Sequence, residues 1–196
     1  MKLERALAVV GVIAGAAAFV GLAGAWVHPR QAARELPLAE AERVLLAAAR
    51  EGDSEVVEGL VRAGTPVNPR DDRGFTPLIL AAYHGHTQAV TALLAGGADA
   101  CAGDTRGNTA LMGAAFRGHL DVVRLLLSHQ CAVDQANGIG QTALMFARLF
   151  GRREVADLLE HAGADRARLD AAGRSAEDWA RTQAPGSPVA SVHPTD

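Results

Sequence analysis

Lysine is nearly absent from this chain: Lys2 is the only one, and every other basic side chain apart from histidine is arginine. That asymmetry reads as GC-rich codon usage and carries no mechanism. Aromatic residues are also scarce, at 4%, although apolar residues reach 49% and glycine occurs 21 times. A core poor in rings and rich in Ala and Leu points to closely packed helices rather than a β-sandwich. Two cysteines, Cys101 and Cys131, are too few for a disulfide-dense secreted scaffold. A net charge of −3 argues against a generic nucleic-acid binder, which carries a basic balance. High apolar content with low net charge argues against a wholly disordered chain. Missing too are the glycine-flanked serine of hydrolases, the phosphate-cradling loops and the paired-cysteine metal or redox motifs.

Within the first 27 residues, Lys2 and Arg5 precede a stretch from Ala6 to Val27 without a charge. Roughly 20 apolar residues suffice to cross a bilayer core. The same layout describes a secretory signal, for which Ala23-Gly24-Ala25 offers a small-x-small cleavage site. The length of the stretch and Trp26 at its end favour an uncleaved anchor, a hydrophobic helix ahead of the body. Either outcome carries the rest of the chain out of the cytoplasm, because Lys2 and Arg5 prefer the inner side. Residues 28–37, with proline near both ends, read as a polar linker.

The body repeats. Gly74, Gly107, Gly140 and Gly173 step by 33, as do Thr76, Thr109, Thr142 and Ser175, and Gly52, Gly85, Gly118 and Gly151. Leu60, Leu93, Leu126 and Leu159 add a further series. Several independent series at one spacing signify a solenoid. Within a unit, Thr76-Pro77 starts a helix, small Ala81 and Ala82 permit close approach, and Gly85 ends it. Val90, Leu93 and Leu94 form a second helical stripe. Asp104-Thr105-Arg106-Gly107 supplies a turn. One such helix pair cannot bury its own apolar face, and stacking neighbours does.

Gly-Phe-Thr-Pro-Leu at 74–78, Ala-Ala at 81–82, Gly-His at 85–86, Leu-Leu at 93–94 and Gly-Ala-Asp at 97–99 together resemble the ankyrin repeat. The resemblance implies an all-α solenoid over residues 38–181, in units 38–70, 71–103, 104–136 and 137–169 with a partial unit at 170–181. The tail, 182–196, is expected to be disordered. The sequence departs from the family where histidine usually follows Pro-Leu: Ile79, Met112 and Met145 stand there. This predicts weaker bracing between turns. Arg148 replaces the alanine found at 82 and 115, which implies loosening or a partner for it. Gly59, where leucine is usual, predicts a less stable first unit.

The resemblance also places a binding groove along the turn tips and the residues before the helix-ending glycines. Tyr83, Phe116 and Leu149 fall on one ladder there, and His84, Arg117 and Phe150 on the next. Arg73, Phe75, Arg106, Asn108 and Gln141 are the turn-tip candidates. Aromatic and arginine side chains dominate interface hot spots, so these residues are the expected partner-binding set. Rings that merely fill gaps between helices are the alternative.

No catalytic residue, cofactor or metal site is expected. His86 and His119 occupy the repeat's own Gly-His step, and no spacing gathers them with His84, His129 and His161. Neighbouring units lie about 10 Å apart. A disulfide needs Cα atoms at about 4.4–6.8 Å, so Cys101 and Cys131 are expected as separate, half-buried thiols. The overall expectation is a non-enzymatic, monomeric module that binds a protein, not nucleic acid, in a bacterial periplasm, anchored by residues 6–27 or released. A protective or chaperone-like factor for an envelope enzyme, with a link to oxidative stress, is suggested by bacterial proteins of similar layout. A metal or redox protein and an exported effector are the remaining alternatives.

Overall fold

The computed structural model describes residues 37–129 and 131–182. The expected anchor, linker and tail segments lie outside them, apart from Pro37 and Thr182. Among the described residues the regular structure is helical: α1 (Leu38–Glu51), α2 (Ser54–Arg62), α3 (Pro77–His84), α4 (Thr87–Ala95), α5 (Ala110–Arg117), α6 (Leu120–Leu127), α7 (Ala143–Leu149), α8 (Arg153–His161) and α9 (Ala176–Arg181). The odd-numbered helices pack side by side in one row, α1 on α3 through to α7 on α9. The even-numbered helices form a second row behind them. The chain is an all-α solenoid. No described helix is long and apolar enough to cross a membrane.

Local chemistry explains the helix starts. Thr76, Thr109, Thr142 and Ser175 are N-caps whose hydroxyls accept from the N–H groups of Ile79, Met112, Met145 and Asp178. Each satisfies a donor that the first turn would otherwise leave unpaired. Fully buried Ala81, Ala82, Ala114, Ala115 and Ala147 let the front row pack closely. Leu45, Leu78 and Leu144, together with Val57, Val90, Val123 and Leu159, carry one continuous core from α1 to α9. The last helix closes the array with a capping box between Ser175 and Asp178.

The junctions between successive units are tied at three levels. At the turn tips, the N–H groups of Thr105, Gly138 and Ala171 donate to the carbonyls of Arg73, Arg106 and Ile139 at 3.2, 2.8 and 2.9 Å. The turns are therefore braced by backbone at every tip without the family's usual histidine. At the helix ends, the Nε2 atoms of His86 and His119 donate to the carbonyls of Arg50 and Tyr83, each at 3.1 Å. Arg152 Nε does the same to Phe116 O at 3.1 Å. These three residues are also the N-cap residues of α4, α6 and α8, yet they cap nothing with their side chains. Asp53, at the equivalent position of the first pair, caps its own helix through Val56 N–H. It has no preceding pair among the described residues to reach.

The third level lies in the straps that follow each back-row helix, and it corrects one expectation. Cys101 and Cys131 are not separate thiols but are disulfide-bonded, with Cα atoms 5.5 Å apart. The helix-to-helix spacing does not apply to the straps, which meet offset in register. Asn68 Oδ1 accepts from the Asp99 N–H, and Asp134 from the Asp165 N–H, across the junctions on either side. Those contacts join residues 31 apart, and the cysteines are separated by 30. The open alternative at Arg148 resolves to a partner, since it pairs with Glu160.

Candidate functional site: the concave groove

The front-row helices and the turn tips enclose a groove of about 1050 Å³. Ile79 and Met112 form its floor, and Gly113 leaves it without a side chain midway. Gly113 stands where α3 has Leu80 and α7 has Phe146. A Cβ there would sit 3.6 Å from Tyr83, in ordinary contact, so the opening does not come from backbone crowding.

Rings line one side. Tyr83 and Phe116 stack at 5.8 Å with planes 17° apart, and Phe146 meets Phe116 edge-on at 6.4 Å. Phe75 joins from the turn before α3. All four rings are half-buried, so each has one part in the core and one part in the groove. On the opposite side stand the turn tips. Each tip is shaped from within: Asp104 Oδ1 accepts from the N–H groups of Arg106 and Asn108, both at 2.8 Å. Asn137 Oδ1 accepts from Ile139 N–H at 3.1 Å and Gln141 N–H at 2.9 Å. Asn137 Nδ2 donates to Asn108 Oδ1 at 2.8 Å, which ties two tips together. The Asp and Asn side chains are thus consumed in holding the loops. Arg73 and Arg106 are left exposed, with no ion pair to a described residue.

Of the expected partner-binding residues, Arg73, Phe75, Tyr83, Arg106, Asn108 and Phe116 line the groove, as does Gln141. The other ladder does not. Arg117 lies 5.1 Å over the Tyr83 ring as a cation–π contact, and Phe150 packs edge-on against Phe116 at 4.3 Å. Both support groove rings from outside. Leu149 is half-buried and does not line the groove; His84 is exposed beside it, its ring 5.2 Å from Tyr83. The sequence reading did not single out Ile79, Met112, Gly113, Asn137, Ile139 or Phe146 as partner-contacting. The signal for the helix residues among them was the 33-residue step between Ile79 and Met112 and the gap at Gly113, but only the direction of that helix face reveals it.

Two histidines along the helix ends hold protons less readily than usual. Burial lowers the affinity of His84 for a proton, and the neighbouring cations His86, Arg117 and Arg50 lower it further. Burial also lowers His119, assisted by Arg117, His86 and Arg152, against the hydrogen bond to Tyr83 O that opposes the shift. Among the described residues no three His, Cys, Asp or Glu side chains converge as a metal cage would need. The lining offers rings, amides and arginines, which are groups of recognition.

A family model described as ankyrin repeats, in three copies, matches residues 27–104, 44–137 and 96–170. No curated protein matches the chain. Together the matched ranges span well over half of the sequence, so the chain belongs to the ankyrin repeat family.

Proposed function

We propose that this protein is a non-catalytic docking module whose concave groove binds a folded protein partner through a surface that is apolar at its centre and carries hydrogen-bond acceptors for Arg73 and Arg106 at its edge. Ankyrin repeats are in general protein-interaction modules, and the family alone supports that coarser statement. The finer reading rests on one observation: Tyr83, Phe116 and Phe146 line a preformed opening flanked by exposed Arg73 and Arg106. Aromatic and arginine anchors in a rigid site bind with little ordering cost. The two guanidiniums share that lining with the carboxylates of Asp72 and Asp104, so the groove's edge is charged in both signs and its arginines are the exposed donors with no ion pair to a described residue.

The proposed site of action is a bacterial periplasm, reached through the uncharged segment 6–27 as anchor or signal. The disulfide between the chain's two cysteines supports it, because such bonds persist in oxidising compartments.

The test is photo-crosslinking of the full chain in cells, with a benzophenone amino acid at Tyr83 or at Glu58 on α2. A discrete crosslinked protein from position 83 alone, lost in Arg73→Glu/Arg106→Glu, is expected. Equal crosslinking from both positions, or indifference to the charge reversal, overturns the groove reading. Protease protection of the chain until the outer membrane is permeabilised checks the compartment.

A further inference from the structure

Three junctions separate the four complete helix pairs, and the same strap position reaches across each of them. At the first it is Asn68, whose Oδ1 accepts from Asp99 N–H at 2.9 Å. At the third it is Asp134, whose carboxylate accepts from Asp165 N–H at 3.1 Å. At the second it is Cys101, which has no side-chain oxygen and reaches across as a disulfide instead. This middle junction is the one that Tyr83 and Phe116 span with their stacked rings. It also precedes the tip of Arg106 and Asn108, whose base is the Gly103–Thr109 bridge, two residues beyond Cys101.

We infer that the Cys101–Cys131 bond is a redox-controlled clasp, a covalent substitute for the inter-strap hydrogen bond, which fixes the groove's central tip only while oxidised. Neither residue is buried in the core, so the bridge lies on the straps at the surface, where exchange partners approach. Closing the clasp takes a disulfide donor. One thiolate attacks a donor sulfur to form a mixed disulfide, and the second thiolate then displaces the donor. The two thiols lose two protons and two electrons, and the donor leaves as a dithiol. A dithiol reductant reverses each step. Once open, the strap junction keeps the hydrogen bond from Gln135 Nε2 to Cys101 O at 2.9 Å but lacks the link that Asn68 and Asp134 supply elsewhere. The consequence for binding rests on the groove reading above. The consequence for local opening does not, which makes the two separable.

The experiment is amide hydrogen exchange on the full chain, oxidised and after reduction by dithiothreitol. Exchange in the 103–109 and 137–141 tips should rise tenfold or more on reduction relative to the 71–75 tip, an internal reference tied by Asn68's junction. A uniform rise at all amides would reveal an ordinary staple acting on the unfolded chain, and no change would reveal an inert bond. Either result overturns the clasp. Cys101→Asn/Cys131→Ala, which returns an oxygen to the strap, should protect the same tips regardless of reductant, whereas Cys101→Ala/Cys131→Ala should not. If the reduced protein unfolds altogether, that pair of variants decides: equal protection in both overturns the proposal.

Discussion

Arg148 and Glu160 form an ion pair at two positions that hold Ala115 and Leu127 in the preceding helix pair. A small residue and an apolar one have been exchanged together for a cation and an anion. Glu160 also binds Arg166, and its side chain is only 10% exposed. Burial alone would raise its affinity for a proton. The hydrogen bonds from Arg148 and Arg166 outweigh that and hold the carboxyl below its usual range.

The Arg148→Ala variant should therefore lose about 1–2 kcal/mol, less than a fully buried pair would because Arg166 remains and water screens the site. Glu160→Leu should cost a similar amount by leaving Arg148 without its partner. The double variant should recover most of the loss, since it restores the apolar pairing of α5 and α6. A double-mutant cycle in urea measures this. Simple additivity would show that the two residues are not coupled.

Gly85 has a φ of +81°, and a Cβ placed on it would stand 2.6 Å from the His119 ring. The glycine is required twice, once for its left-handed backbone and once for the space the histidine fills. Gly85→Ala should destabilise by about 2–3 kcal/mol. Adding His119→Ala to that variant should recover part of the loss by removing the collision. No recovery in thermal melts would show that backbone strain alone accounts for the cost.

His84 and His119 bind protons less readily in the folded protein than in the unfolded one. Their contribution is complete above the unfolded value, near 6.5, and is lost as pH falls below that value toward the depressed folded ones. The melting temperature should thus drop between pH 7 and pH 5, and His119→Gln should show a shallower drop. A flat profile in the parent protein would contradict this.

Gly113 separates stability from binding. Gly113→Ala removes a helical glycine with room for the new methyl, and should stabilise by about 0.5–1 kcal/mol. Gly113→Leu places in α5 what α3 has at Leu80, filling the opening between Tyr83 and Phe146. Its circular dichroism should match the parent while the crosslink from position 83 disappears. Retention of that crosslink would place the partner elsewhere.

The repeat, the Thr caps and the helix-ending glycines were legible in the sequence because each is a local requirement, set by one hydrogen bond or one dihedral angle. The cysteine pair was not legible. Its proximity depends on how far the straps slip past one another, which a 33-residue ladder conceals. The groove was half legible: Tyr83 and Phe116 were recognisable as rings on one ladder. The next ladder was misassigned in direction, since Arg117 and Phe150 brace the rings from outside instead of facing the opening. A vacancy such as Gly113 leaves no positive mark, because glycine in a helix looks like a weakness until the face it lies on is known.

The disulfide also sets how the array would yield under tension. Helices α5 and α6 both lie between Cys101 and Cys131, inside a closed covalent loop. A load applied at the two ends would pass through the sulfur bridge and bypass them. At about 3.4 Å per extended residue, some 100 Å of chain would stay hidden from the pull. Pulled from its two ends, the array would therefore have a short, stiff middle, which carries the groove, and ends that give way first.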